Sequence, residues 1–216
     1  MARARILVAD GHAIVRRGLR ALLLSQPGWE VCAEASNGRE AVEKVAQFKP
    51  DVAILDIGMP ELNGFEATRQ IVKTSPQTEV LILTMHQSDE VVREVLKAGA
   101  RGYVLKSDAD QNLVAAVEML LQHKPFLTSD VTDVVLLRYL NGHDGLNTQP
   151  QTRMTARERE IIQLLSEGKS NKEVAVALDI STRTVETHRA NIMRKLGMES
   201  LSDLVRYAIR NKIVEP

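Results

Sequence analysis

Four short apolar runs organise the first half of the chain, and each ends on a polar group. Ile6-Leu7-Val8-Ala9 ends at Asp10, Val52-Ala53-Ile54-Leu55 at Asp56, Val80-Leu81-Ile82-Leu83 at Thr84, and Tyr103-Val104-Leu105 at Lys106. Runs this short and this apolar fit strands buried on both faces. A fifth run, residues 30–35, supplies another strand. Between the runs, apolar residues recur at helical spacing. Ile14, Val15, Leu19, Leu22 and Leu23 predict a helix over 13–25 with those five inward. Ala41, Val42, Val45 and Phe48 predict one over 39–48, and further helices follow over 65–74, 89–98 and 109–123. Pro27-Gly28, Lys49-Pro50-Asp51 and Ser75-Pro76 punctuate the alternation. Five strands and five helices in turn predict an α/β domain, a flavodoxin-like doubly wound parallel sheet of order 2-1-3-4-5.

The pattern then changes. Thr155-Ala156-Arg157-Glu158 and Ser170-Asn171-Lys172-Glu173 carry the S/T-x-x-E capping box, so helices start at both. Ile161, Ile162, Leu164 and Leu165 face inward on the first, and Val174, Ala175 and Leu178 on the second. Asp179-Ile180 turns the chain, Ser181 caps a longer helix over 182–196, and a fourth helix follows Ser202. Two short helices, a tight turn and a helix with a polar face predict an all-α helix-turn-helix domain. The boundaries read from sequence are residues 1–123, a linker over 124–151 and a second domain over 152–216. Val131, Val134, Val135, Leu136 and Tyr139 suggest a short amphipathic helix over 129–140 within that linker.

Charge refines this division. Residues 1–148 hold 16 Lys+Arg against 19 Asp+Glu, and residues 149–216 hold 12 against 9, so only the second part leans towards a nucleic-acid partner. Cys32 is the single cysteine. No internal disulfide can form, and the residue reads as a small packed hydrophobe in a reducing cytoplasm. No run reaches the roughly 20 apolar residues of a membrane span. A soluble cytoplasmic protein with no membrane partner is expected.

Ligands of a parallel sheet bind beyond the carboxyl ends of its strands. Asp10, Asp56, Thr84 and Lys106 all fall there, with Asp10 and Asp56 on neighbouring strands. Paired carboxylates repel unless a cation lies between them. A hard ion such as Mg2+ takes carboxylate oxygens and waters and bridges to a phosphoryl oxygen. Asp56 would then be the nucleophile that forms an acyl phosphate, with Thr84 and Lys106 binding phosphoryl oxygens.

In the 182–196 helix, Val185, Ile192 and Leu196 mark the core stripe. Arg183, Glu186, Thr187, Ala190, Asn191 and Arg194 fall opposite, where a recognition helix meets base edges. Thr182, Thr184, Arg189 and Lys195 are placed for phosphates of double-stranded DNA. His188, near the stripe, reads as a packed histidine.

With these residues in view, positions 1–123 resemble a response-regulator receiver domain. The match rests on Asp56-Ile57-Gly58-Met59-Pro60, Leu62-Asn63-Gly64 and Gly99-Ala100-Arg101-Gly102-Tyr103-Val104-Leu105-Lys106. Positions 154–214 resemble the LuxR-type effector domain through residues 155–160 and 168–175, Val185-Glu186-Thr187-His188 and Lys195-Leu196, so the chain looks like a NarL/FixJ-type response regulator. That resemblance implies that a histidine kinase phosphorylates Asp56. It also implies that Thr84 and Lys106 sense the phosphate and that Tyr103 swings inward. The metal would be held by Asp10, Asp56 and the backbone carbonyl of Gly58, and the active chain would be a homodimer on DNA. A transcription factor, not an enzyme, is implied.

One position departs from the family pattern. Such receivers carry two adjacent acids after the first strand, and here Gly11 follows Asp10. Either the site binds Mg2+ weakly and still accepts phosphate, or the receiver is switched without phosphate. The retention of Thr84 and Lys106 favours the first. His12 as a substitute ligand is weighed against a plainer part, entry into the first helix. Two other classes stay in view: an aspartyl phosphotransferase, for which Gly58 supplies no general acid, and an adaptor whose second half binds protein.

Overall fold

The computed structural model describes residues 3–128 and 154–214, which form two compact units. The first alternates β1 (Ala4–Ala9), α1 (Ala13–Leu24), β2 (Trp29–Ala35), α2 (Gly38–Phe48), β3 (Val52–Leu55), α3 (Gly64–Thr74), β4 (Glu79–Thr84), α4 (Asp89–Ala98) and β5 (Gly102–Leu105). A 3-10 turn (Lys106–Asp108), α5 (Ala109–Leu121) and β6 (Phe126–Leu127) complete it. All pairings are parallel, in the order β2-β1-β3-β4-β5-β6. β3 and β4 are buried along their whole length, which is why they read as unbroken apolar runs.

Helices α1 and α5 close one face over Ile6, Val8, Ile54, Leu81, Leu83 and Val104, while α2, α3 and α4 pack in sequence on the other. Local chemistry sets their starts. The side chains of Asn37, Asn63 and Ser88 each accept the N–H three residues on, satisfying a donor the helix itself leaves orphaned. Gly99 ends α4 at φ 98°, a left-handed conformation that suits glycine.

Three expectations change. The sheet has a sixth strand, so a strand lies inside the stretch read as linker. It is two residues long, too short to leave a periodic signal, and Phe126 N–H donates to the Arg101 carbonyl at 2.9 Å. Ile14 is 80% exposed rather than inward. At 100° per residue it lies about a third of a turn from the mean direction of Val15, Leu19, Leu22 and Leu23. Cys32 is half-buried at an irregularity between β1 and β2, where its thiol points to the Ile6 carbonyl at 3.4 Å. The helix expected over 129–140 lies outside the described residues.

The second unit holds α6 (Ala156–Ser166), α7 (Asn171–Ala177), α8 (Thr182–Leu196) and α9 (Leu201–Arg210). Both expected capping boxes are formed, at Thr155/Glu158 and Ser170/Glu173, and Ser181 caps α8. A third box, Ser200/Asp203, starts α9 two residues earlier than the sequence suggests. Aspartate can close the box as glutamate does, and a search for glutamate alone passes over it. Ile161, Ile162, Leu164, Val174, Val185, Ile192, Leu204 and Ala208 form the core. Between α7 and α8, Asp179 holds φ 51° at the turn. Among the described residues no helix is long and apolar enough to cross a membrane.

Candidate functional site

Strand register assembles the first site. Ala9 pairs with Leu55, so Asp10 and Asp56 leave adjacent strands together. Thr84 pairs with Leu105, which puts Lys106 one step beyond. Asp10 and Asp56 are 1% and 4% exposed. Lys106 carries its ammonium between them, 2.7 Å from Asp10 Oδ2 and 3.0 Å from Asp56 Oδ2. Burial alone would pull the Lys106 pKa down. Hydrogen bonding to Asp10 and the charge of Asp56 outweigh it and hold the amine above its ordinary value, so it stays charged.

Hydrogen bonds to their main-chain groups also hold both acids. The main-chain N–H of Asp56 donates to the Ala9 carbonyl at 2.9 Å, and Arg16 donates to the Asp10 carbonyl at 2.7 Å. Gly64, the first residue of α3, lies against the Asp56 peptide. A Cβ there would stand 2.3 Å from the Asp56 carbonyl oxygen and 2.9 Å from Ile57 Cα. Sequence reasoning placed Gly64 at a helix start and missed this close approach. Gly58 sits half-buried two residues past Asp56, in the loop that leads to α3.

Thr84 is fully buried, and its hydroxyl accepts the His86 N–H at 3.2 Å. Tyr103 is 1% exposed and donates its hydroxyl to the His86 carbonyl at 2.5 Å. Burial pushes the Tyr103 phenol up to about 12. One residue, His86, thus joins Thr84 to Tyr103 through its main chain. Any residue but proline could do so, which is why the residue type carries no signal of it.

Two carboxylates and an imidazole could hold a divalent ion here. Ligand atoms of Asp10, His12 and Asp56 lie within 4.8 Å of one another. Asp10 Oδ2 is buried and faces the Lys106 ammonium at 2.7 Å, which leaves it a second lone pair. The donor set therefore fits a metal. His12 does enter α1, as the plainer reading had it, but its Nδ1 also lies 3.3 Å from Asp10 Oδ1.

The second site is the polar face of α8. Arg183, Thr184, Glu186, Thr187, Ala190, Asn191 and Arg194 are exposed, while Thr182, His188, Arg189 and Lys195 are half-buried. Arg194 donates to Asn191 Oδ1 at 2.9 Å. Lys195 is set apart from the others, because its ammonium donates to Glu158 Oε2 in the α6 capping box at 2.9 Å.

Comparison with known proteins gives the family of each unit. Residues 6–118 match the response regulator receiver domain, and residues 152–208 match the luxR family of bacterial regulatory proteins. The chain belongs to the two-component response regulators of the NarL/FixJ type, a receiver followed by a LuxR-type DNA-binding domain. It is 39% identical over 215 residues to the oxygen regulatory protein NreC of Staphylococcus carnosus, covering 98% of this chain and 99% of that one. A LuxR-family response regulator from Aurantimonas sp. SI85-9A1 shares 35% identity at a TM-score of 0.61, over 64% of this chain and 99% of that one. RcsB from Salmonella enterica serovar Typhimurium, bound to the promoter rprA in the presence of a phosphomimetic, shares 25% identity at a TM-score of 0.59. That match covers 95% of this chain and 98% of RcsB.

Proposed function

We propose that this response regulator is a phosphoryl-switched transcription factor whose acceptor is Asp56. The observation that carries the reading is the Lys106 ammonium lying between Asp10 and Asp56 at the strand ends. In the transfer, an Asp56 carboxylate oxygen bonds to phosphorus as the P–N bond to the kinase histidine breaks and the imidazole leaves. Lys106 is placed to move its charge from the carboxylates to a phosphoryl oxygen, and Thr84 to turn its hydroxyl from His86 N–H towards another. Asp10, Asp56 and the Gly58 carbonyl would hold Mg2+, which when bound neutralises charge on the transferred group. Gly11 leaves that site one carboxylate short, so binding is weak. Tyr103 already lies inward on His86, so a Thr84 movement reaches the α4–β5 face through one shared residue.

The second unit binds double-stranded DNA through α8, as a homodimer on a two-fold-related site. The RcsB complex with promoter DNA supports this. Arg183, Glu186, Thr187, Ala190, Asn191 and Arg194 read bases, and Thr182, Thr184, Arg189 and Lys195 meet phosphates. The receiver runs through β6 and the DNA-binding domain over 152–216, in a cytoplasmic protein that takes one phosphoryl group and does not turn over phosphate esters.

The test is sequence-specific DNA affinity and mass in solution, before and after treatment with acetyl phosphate. Tighter binding with dimer formation, absent in Asp56→Ala, is expected. Equal affinity in both states would favour the second reading, a receiver switched without phosphate, for which Gly11 is the specific observation.

A further inference from the structure

We propose that the rim site takes a divalent transition ion, with the imidazole of His12 as its third side-chain ligand beside Asp10, Asp56 and the Gly58 carbonyl, and so favours Mn2+ over Mg2+. This deepens the metal-binding part of the function above and needs no phosphoryl transfer.

Four observations lead to it. Asp10, His12 and Asp56 bring one donor atom each within 4.8 Å of the others. Gly11 offers no side chain, so the imidazole stands as the third side-chain donor in this cluster. The His12 ring is 66% exposed, and joining the ion therefore removes little of the protein packing around it. Its main-chain N–H donates to Asp10 Oδ1 at 2.8 Å, which fixes the carboxylate close to the ring.

Charge decides which ion gains most. Two carboxylates and the Lys106 ammonium leave the cluster at one net negative charge. A hard ion held by charge and water, as Mg2+ is, loses most from that deficit. Imidazole donation recovers part of it for a transition ion. Mn2+ takes nitrogen least readily of that series and shares the carboxylate ligands of Mg2+, but it gives up water for imidazole more readily than Mg2+ does. The buried Asp10 Oδ2 has two acceptor sites, and beside the Lys106 ammonium at 2.7 Å it keeps the second for the ion.

The experiment uses the full-length, unphosphorylated protein with Mn2+ as the probe. Free Mn2+ is counted by its room-temperature EPR signal, and nitrogen ligation is read from 14N modulation in pulsed EPR of the bound ion. Expected are 14N modulation in the wild type, its loss in His12→Gln and its retention in His86→Ala. His12→Gln should also weaken Mn2+ binding by about tenfold. Mg2+ affinity, measured by competition, should change less than twofold. The N–H that holds Asp10 belongs to the main chain and survives the substitution, so an unchanged urea midpoint is expected as the folding control. Bound Mn2+ without nitrogen coupling, coupling that persists in His12→Gln, or no binding at millimolar Mn2+ would each overturn the proposal. A chain that binds Mn2+ in this way and yet refuses acetyl phosphate would contradict only the phosphoryl switch.

Discussion

Lys106 places its ammonium 3.0 Å from the Asp56 carboxylate and, on the other side, 2.7 Å from Asp10. One cation thus holds two buried like charges together. Lys106→Met leaves them facing each other, and breaking a buried ion pair from one side costs about 3–5 kcal/mol. Urea unfolding without divalent ions should show a loss of that order. Adding Asp10→Asn to the Lys106→Met background should recover part of it, since a single carboxylate remains.

Gly64 gives a second test. A methyl group 2.3 Å from the Asp56 carbonyl must push backbone, not a side-chain tip. Gly64→Ala should therefore destabilise the chain by about 2 kcal/mol or more and slow phosphorylation. Gly18, within α1, has nothing within 4 Å of the same construction. Gly18→Ala should stabilise by about 0.5–1 kcal/mol. Urea midpoints moving in the same direction for both variants would refute the close-approach account.

Alkaline pH provides a third. The Tyr103 phenol is pushed up to about 12 by burial, and Lys106 stays above its ordinary range. Both pKa values are raised, so the protonated forms are the folded ones. The stability each contributes is complete below the ordinary values of 10.0 and 10.5 and is lost as pH rises through the folded values. Unfolding followed from pH 9 to 12 should show a steep loss above about pH 10. Tyr103→Phe should remove the tyrosine's share and the phenolate absorbance that appears near pH 12.

Sequence was sufficient for some of these features and not for others. Strand ends, the glutamate capping boxes and the exposed face of α8 depend on neighbours within a few residues and could be read, whereas the Ser200/Asp203 cap could not by a search for glutamate. The register that sets Asp10 beside Asp56 followed from strand order. Ile14 was misplaced because hydrophobicity was counted without its angle around the helix. β6 is too short for any period. The Gly64 contact, the His86 joint and the Lys195–Glu158 pair span separate elements, so their residue types are informative only once the chain is folded.

On DNA, Arg183 and Arg189 should separate. Arg183→Ala is expected to cost about 1–3 kcal/mol and relax preference at one base pair, whereas Arg189→Ala should weaken all sequences alike and lower the salt slope by about one. Lys195→Ala has an added consequence. Losing its bond to Glu158 loosens the α6 capping box, so about 1 kcal/mol of stability should go with it. Fluorescence anisotropy across a salt series, beside urea unfolding, distinguishes these effects.

The central claim is that Asp56 accepts a phosphoryl group despite Gly11. The most direct measurement is treatment of the purified chain with acetyl phosphate and Mg2+, read on a phosphate-affinity gel beside Asp56→Ala. A retarded band that needs the divalent ion and is absent from the variant is the predicted result. No retarded band, even at high Mg2+ or Mn2+, would contradict it and leave a DNA-binding regulator whose receiver answers to something other than phosphate.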